Sequence, residues 1–168
     1  MIRPSRWHVI VAVCFAVAMQ STAGAQDQET MYYANAYADH YGVPRALVDA
    51  IIEQESGWDP FAQSVKDAEG LMQLMPGTAN MYGVRNRYAV LENLSGGIRY
   101  LADLLIEFHG DMRLAVAAYY CGPQRILQRG LSYSNPDVVA YVRSVRRRYR
   151  RDLLNQTGQK TSGPEGEH

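Results

Sequence analysis

Short stretches of helical pattern, separated by glycine and proline, cover most of this 168-residue chain. From Asp27 onward apolar residues recur at helical spacing, and the alternating β-branched runs that indicate strands are almost absent. A glycine such as Gly42 can end a helix in the left-handed conformation, and a proline such as Pro44 suits a first helical position. The pattern predicts an all-α fold with about seven to eight short helices and little or no sheet.

The positions of glycine and proline also give the expected helix limits. Helices are predicted over residues 28–41, 44–57, 70–75, 76–82, 91–108, 112–120, 123–129 and 136–153. Asp111 is well placed to accept hydrogen bonds from the first N–H groups of the helix that follows it. That helix is rich in alanine, so it is expected to pack on several sides near the centre of the domain.

The first 25 residues have the layout of a secretory signal peptide. Arg3 and Arg6 precede an apolar run over residues 9–19, and the small residues Ala23-Gly24-Ala25 follow. The run is short of the roughly 20 residues that a membrane-spanning helix needs. We expect cleavage after Ala25 and a periplasmic protein. The alternative is a retained N-terminal anchor, which would also export the rest of the chain.

The remaining residues are expected to form one domain over 26–154, with a disordered tail over 155–168 that is rich in Gly, Ser, Thr and charge. Once the leader is removed, 15 basic residues stand against 17 acidic ones, which gives no electrostatic case for nucleic-acid binding. Cys121 would be the only cysteine left, so no internal disulfide is expected. The histidines form no ligand-like cluster, so neither metal nor cofactor is expected, and we expect a monomer.

Glu55 is the candidate catalytic residue. It follows Ile51 by four residues and Ile52 by three, which places it on the apolar face of its helix, whereas Glu53 points the other way. Burial and the negative end of the helix dipole both raise the pKa of such a carboxyl. A general acid tuned in this way reaches a pKa of roughly 6 to 7. On position alone, a capped or paired glutamate at a helix end is the alternative.

Residues 47–83 carry a series of short motifs around Glu55, and further motifs follow. The motifs are Glu55-Ser56, Ser64, Gly70-Leu71-Met72-Gln73, Met75-Pro76, Thr78-Ala79, Asn93, Gly97, Tyr100-Leu101, Ala118-Tyr119, Gly122-Pro123, Tyr141-Val142 and Val145. In order and spacing they resemble the soluble lytic transglycosylases, lysozyme-like enzymes of the bacterial envelope that share the SLT domain. The resemblance covers about residues 30–150 and implies a lysozyme-like helical domain of the small, single-domain, exported type.

The resemblance also implies roles for individual residues. Glu55 would be the acid/base, with Ser64, Met72, Gln73 and Tyr119 in the substrate groove and Tyr141 as a weaker candidate. Hydroxyl and amide groups can fix an N-acetyl sugar, and Tyr and Met offer surfaces to sugar faces. Each assignment has a structural alternative. Ser64 could cap a turn, Gln73 could bond local backbone, and Met72 and Tyr141 could be core residues.

The chain departs from the family's usual pattern in two places. Tyr120 and Cys121 stand where the family usually has Asn and Ala, which can alter the local turn or the groove wall. Asp67 stands where a Gly is usual, which adds a carboxylate and removes backbone freedom. Both departures bear on substrate preference and efficiency more than on the class of reaction.

Ordinary glycoside hydrolysis uses two carboxylates. Asp59, Asp67 and Glu69 lie in loop-like stretches and are expected to be solvated, so only one acid is convincingly placed. The resemblance implies that Glu55 alone cleaves the β-1,4 bond between N-acetylmuramic acid and N-acetylglucosamine of peptidoglycan, with formation of a 1,6-anhydromuramyl end. A lysozyme-type hydrolase of the same bond and a non-catalytic peptidoglycan-binding module are the alternatives.

The last predicted helix carries many arginines. They are Arg143, Arg146, Arg147, Arg148, Arg150 and Arg151. A partner with an acidic surface, such as an envelope-spanning secretion or conjugation complex that needs a local gap in the wall, could dock there. A solvated helix face is the alternative.

Overall fold

The computed structural model describes residues 27–161, which contain seven α-helices. The helices are α1 (27–41), α2 (Arg45–Glu55), α3 (Pro76–Met81), α4 (Val90–Glu107), α5 (Met112–Cys121), α6 (Pro123–Arg129) and α7 (Pro136–Thr161), with a 3₁₀ turn at Gly130–Ser132. Within these residues the only β-type pairing is a pair of isolated bridges, Gln63 with Glu69 and Glu69 with Leu74. The predicted all-α class is confirmed.

One predicted helix is wrong, since residues 70–75 form a turn instead of a helix. Gly70 and Gln73 have φ angles of 78° and 46°, in the left-handed region that a right-handed helix cannot include. A Cβ atom at position 70 would also lie 2.2 Å from the carbonyl oxygen of Arg87. The chain therefore turns tightly here and passes close to the segment before α4.

The last helix is longer than predicted. It continues to Thr161, so residues 155–161, expected to belong to a disordered tail, are helical. No proline interrupts this stretch before Pro164, and Gly158 alone is too weak a breaker to stop a helix that is already formed. The rest of the predicted tail, and the predicted signal peptide, lie outside the described residues.

The main core forms where α2 packs against α7, with α1 and α4 alongside. The apolar face of α2 is fully covered, with Leu47, Val48, Ile51 and Ile52 at most 2% exposed. From α7, Tyr141 and Val145 complete this core. The end of α2, where Glu55 lies, is therefore held between elements that are distant in sequence.

A second cluster joins α4, α5 and α7, and α5 lies near the middle as its alanine content predicts. Ala115 and Ala118 are both completely buried. Asp111 caps the helix as expected, because its carboxylate accepts hydrogen bonds from the N–H groups of Arg113 and Leu114. Across the span 27–161, none of the helices combines the length and the apolar character that crossing a bilayer requires.

Candidate active site

The carboxyl of Glu55 lies at the last residue of α2, on the side that faces α5 and α7. The next residue, Ser56, fixes how the chain leaves the helix. Its hydroxyl donates to the carbonyl oxygen of Leu71 at 2.9 Å and accepts from the N–H of Trp58 at 3.1 Å. The helix end is thus tied to the 70–75 turn, so the position of Glu55 relative to that turn is set.

Glu55 has an environment suited to a general acid. Its side chain is partly buried, and the hydroxyl of Tyr141 donates to Oε1. Burial raises the pKa of Glu55 to about 7, and the hydrogen bond from Tyr141 opposes that rise only in part. Near neutral pH this carboxyl is protonated in a large share of molecules and can give up its proton.

Glu53, only two residues away, is in the opposite situation. It forms ion pairs with Arg151 and, at 3.3 Å, with Arg148, both from α7. The hydrogen bond from Arg151 is the main reason that the pKa of Glu53 is lowered. The predicted contrast between the two glutamates is therefore present in the structure.

Tyr119 and Met72 lie next to this acid. The hydroxyl of Tyr119 donates to the carbonyl oxygen of Met72 at 2.8 Å. Burial, followed by the nearby charge of Glu55, raises the pKa of Tyr119 well above its usual value. Both tyrosines around Glu55 are therefore neutral hydrogen-bond donors at any pH relevant to the protein.

The other predicted site residues make structural contacts. Ser64 accepts hydrogen bonds from the N–H groups of Ala68 at 3.0 Å and Lys66 at 3.3 Å, as a turn-capping serine does. The side-chain amide of Gln73 donates to the carbonyl oxygens of Ala62 and Gly70, both at 3.0 Å.

Met72 is completely buried, so its side chain packs in the core. The structure thus brings Glu55, Tyr119, Tyr141 and the backbone of Met72 together, while Ser64 and Gln73 hold the neighbouring loop in shape. Contact of Ser64, Met72 or Gln73 with a sugar stays a prediction.

Sequence reasoning assigned no role to Asn93, which organises the loop beside the acid. Its side chain is 1% exposed. Oδ1 accepts from the N–H of Met72 at 2.8 Å, and Nδ2 donates to the carbonyl oxygens of Glu69 at 3.0 Å and Arg87 at 2.7 Å. A signal was present, because Asn93 is a polar residue four positions before Gly97 on the buried side of α4.

The acidic residues of the loop were expected to be solvated, and for Glu69 this expectation is wrong. The side chain of Glu69 is 13% exposed and pairs with Nε of Arg87 at 3.0 Å. Asp67 pairs with the same guanidinium at 3.3 Å and has a φ of 65°, a conformation that explains why glycine suits this position. Asp59 is exposed, and its carboxylate accepts from the N–H of Phe61.

Tyr120, the other departure from the expected pattern, lies beside Tyr141. The two rings stack with centroids 4.5 Å apart and an angle of 25° between planes. Tyr120 remains 46% exposed, so it forms the outer surface of this part of the site. Its ring thus contacts Tyr141, which in turn donates a hydrogen bond to Glu55.

The described residues contain no group of three or more His, Cys, Asp or Glu side chains that could hold a metal ion. At this site the structure places a partly buried carboxylic acid with two phenols beside it. Such an acid can protonate a leaving oxygen and, once ionised, can act as a base.

The fold and the site thus define a class of protein. It is an all-helical domain in which a partly buried glutamic acid with a raised pKa lies at the end of a core helix. The chain belongs to the family described as the transglycosylase SLT domain, whose model matches residues 32–138.

Individual relatives agree with this membership. The soluble lytic murein transglycosylase of Escherichia coli K12 is 33% identical over 120 residues, which are 65% of this chain and 19% of the relative. A putative soluble lytic murein transglycosylase of Haemophilus influenzae is 31% identical over 127 residues, covering 66% of this chain and 21% of the relative. The chain therefore spans about a fifth of the length of these curated relatives.

Among solved structures, an inactive mutant of the lytic transglycosylase Slt from Pseudomonas aeruginosa superposes with a TM-score of 0.67 at 26% identity. The match covers 80% of this chain and 24% of the other. The helical architecture of the described residues is therefore shared with a domain of a known lytic transglycosylase.

Proposed function

We propose that this chain is a peptidoglycan lytic transglycosylase that cleaves the β-1,4 bond between N-acetylmuramic acid and N-acetylglucosamine. The supporting observation is the carboxyl of Glu55, which burial brings to a pKa of about 7 while Tyr141 holds one of its oxygens. Family membership and the relatives' names, which specify lytic murein transglycosylases, agree with this activity.

In this mechanism Glu55 acts twice. As an acid it protonates the glycosidic oxygen, while the N-acetyl group of the muramyl sugar stabilises the positive charge that develops at the anomeric carbon. As a carboxylate it then removes the proton of the 6-hydroxyl, which attacks that carbon and leaves a 1,6-anhydromuramyl end. Asp67 and Glu69 are engaged with Arg87, which favours a route that needs one carboxylate over the usual pair.

Replacing Glu55 with glutamine tests the assignment. Glu55→Gln removes the transferable proton, so we expect the release of soluble fragments from purified sacculi to fall by at least about 100-fold. Glu53→Gln is the matched control, because it makes the same change on the same helix in an exposed ion pair and is expected to keep most of the activity. Full activity in Glu55→Gln with an unchanged fold would refute the role of Glu55.

Mass analysis of the fragments separates the proposed reaction from hydrolysis. An anhydro end is lighter than a hydrolysed reducing end by the mass of one water. Reducing ends alone would mean a lysozyme-type hydrolase. A chain that binds sacculi and releases no fragments would be the non-catalytic binding module.

We further propose that the protein is exported and acts in the periplasm. Support comes from the sequence of residues 1–25, with its two arginines, apolar run and small residues before Gln26. Expression in a Gram-negative host, followed by fractionation and N-terminal sequencing, is expected to give a periplasmic protein that begins at Gln26. A cytoplasmic protein that begins at Met1 would rule this out.

We also propose that a partner binds at the arginine-rich helix α7. Arg148 and Arg151 are paired with Glu53, whereas Arg146 and Arg150 are exposed and line a cavity of about 310 Å³ together with Leu47 and Val116. A secretion or conjugation complex with an acidic surface could bind there. Pull-down from envelopes should recover such a component with the wild-type chain and lose it with Arg146→Glu/Arg150→Glu. Recovery of no machine component would count against the partner.

A further inference from the structure

Tyr120 is an aromatic residue in an unusual place. It follows Tyr119 near the end of α5, and its side chain is 46% exposed, so the core does not require a ring there. Nevertheless its ring lies almost parallel to that of Tyr141, with 4.5 Å between centroids. Tyr120 thus covers a face of the side chain that donates a hydrogen bond to Glu55.

Tyr141 depends on its neighbours for its position. It reaches the acid from α7, and it is only 6% exposed. Its hydroxyl can donate to Oε1 of Glu55 only while the ring keeps a narrow range of orientations. A stacked aromatic neighbour limits those orientations and excludes water from the covered face.

We propose that Tyr120 is a positioning residue for the acid: its ring, stacked on Tyr141, holds the phenol that donates to Glu55 and keeps water away from that carboxyl. This inference rests on the proposed function, in which Glu55 is the acid. It also accounts for a tyrosine at a position where the family pattern usually has asparagine, since an asparagine side chain cannot stack in this way.

The direction of the effect follows from the groups that face Glu55. These are the phenols of Tyr141 from α7 and Tyr119 from α5, and both stay neutral because their pKa values are raised. Burial is the larger influence on the pKa of Glu55, and the hydrogen bond from Tyr141 is the smaller, opposing one. If the loss of Tyr120 admits water and loosens Tyr141 together, the gain of hydration dominates and the pKa of Glu55 falls.

The test is a titration of Glu55 by NMR in the full chain labelled with ¹³C at glutamate carboxyls. In Tyr120→Asn we expect the midpoint of Glu55 to fall by about one pH unit, a modest part of the range that burial can produce. Tyr120→Phe keeps the ring and is expected to keep the wild-type midpoint. Tyr32→Asn, an equal change at a 68% exposed tyrosine on α1, is the matched control.

A second set of variants tests whether Tyr120 acts through Tyr141. In a Tyr141→Leu chain there is no ring to stack on, so adding Tyr120→Asn should change the Glu55 midpoint little. Thermal unfolding of each variant verifies that the fold is retained. An unchanged or raised midpoint in folded Tyr120→Asn, or an equal drop with and without the ring at position 141, would overturn the proposal.

The titration needs no substrate, so it is independent of the proposed activity. If Glu55→Gln retained activity, the proposed role of Glu55 as the acid would fail, while the link between Tyr120 and the carboxyl could still be measured. In the active enzyme, the pH at which fragment release declines should fall in Tyr120→Asn by the same amount as the NMR midpoint.

Discussion

Two glutamates of α2 show how much a carboxyl depends on its neighbours. Burial raises the pKa of Glu55 to about 7, although the hydrogen bond from the neutral phenol of Tyr141 opposes that rise. Glu53 meets the guanidinium of Arg151, so its pKa is lowered. The surroundings therefore favour the protonated form of one carboxyl and the ionised form of the other, two residues earlier.

The hydrogen bond from Tyr141 should influence both the rate and the pH dependence of the reaction. It favours the carboxylate form of Glu55, so in Tyr141→Phe the pKa of Glu55 should rise above its value of about 7. In the proposed mechanism Glu55 begins the reaction protonated, so the decline of activity should move to higher pH. The maximal rate should fall about tenfold with the loss of a hydrogen bond to a charged group. Fragment release measured between pH 5 and 9 would show the shift of the pH profile. A decline of activity at the same pH as in the wild type would contradict the prediction.

For single residues, the sequence predicts the environment where the position on a helix face decides it. Glu55 lies on the apolar stripe of α2, and that alone separates it from Glu53. By contrast, the bonds of Ser64 and Gln73 to nearby backbone depend on the exact path of the loop. The pairing of Asp67 with Arg87 joins positions 20 residues apart, so helical spacing could not reveal it.

At the level of helices, α2 and α7 meet through charged as well as apolar groups. Asp49 of α2 is mostly buried, and Asp152 of α7 lies near it. Burial first, and then the charge of Asp152, raises the pKa of Asp49 to about 6, although Arg45 acts in the other direction. One oxygen of each carboxylate has no hydrogen-bond partner among the described residues.

This interface predicts a pH-dependent stability. A raised folded-state pKa favours the protonated acid, so the contribution of Asp49 is fully present below about pH 3.8 and is lost as the pH rises through about 6. Asp49→Asn should therefore stabilise the chain at pH 8 by about 1 to 2 kcal/mol, after allowing for solvent screening, and by much less at pH 4. Urea unfolding at pH 4 and pH 8 measures the change in the free energy of unfolding, with Glu29→Gln on α1 as an exposed control. An equal change at the two pH values would contradict the prediction.

A contact between α4 and the 70–75 turn gives another prediction. A Cβ atom at Gly97 would lie 2.5 Å from the sulfur and 2.8 Å from the Cβ of Met72. Gly97→Ala should thus displace Met72 and destabilise the fold by about 1 to 3 kcal/mol. Gly77→Ala, where a Cβ has nothing within 4 Å, should be neutral. Thermal unfolding of both variants measures the difference in stability. Equal unfolding midpoints would contradict the prediction, because the turn would then adjust without loss of stability.

Helix limits were predictable where glycine and proline end or begin a helix, as at Gly42 and Pro44. The error at residues 70–75 arose because their composition suits a helix, while the hydrogen bonds of Asn93 hold them in a turn. Contacts of that kind join distant segments, and local propensity carries no information about them.

At the scale of the whole molecule, the family match ends at residue 138, yet the core does not. Tyr141 and Val145 lie beyond it and are 6% and 1% exposed. A chain that ends at residue 138 should therefore fail to unfold cooperatively. It loses these two buried side chains, at about 1.5 to 3 kcal/mol each, and the partly buried Val142 and Tyr149, which together is comparable with the total stability of a domain. Circular dichroism during heating tests this, with a chain ending at Thr161 as the control that keeps both residues.

The hydrogen bond between Tyr141 and Glu55 joins two residues that are 86 positions apart. During synthesis Glu55 leaves the ribosome well before Tyr141, whose phenol donates to it from α7. A nascent or prematurely terminated chain therefore carries the acid without its partner. The pairing of Glu55 with Tyr141 forms only after α7 has been synthesised, so the proposed activity would be withheld from chains that stop before that helix.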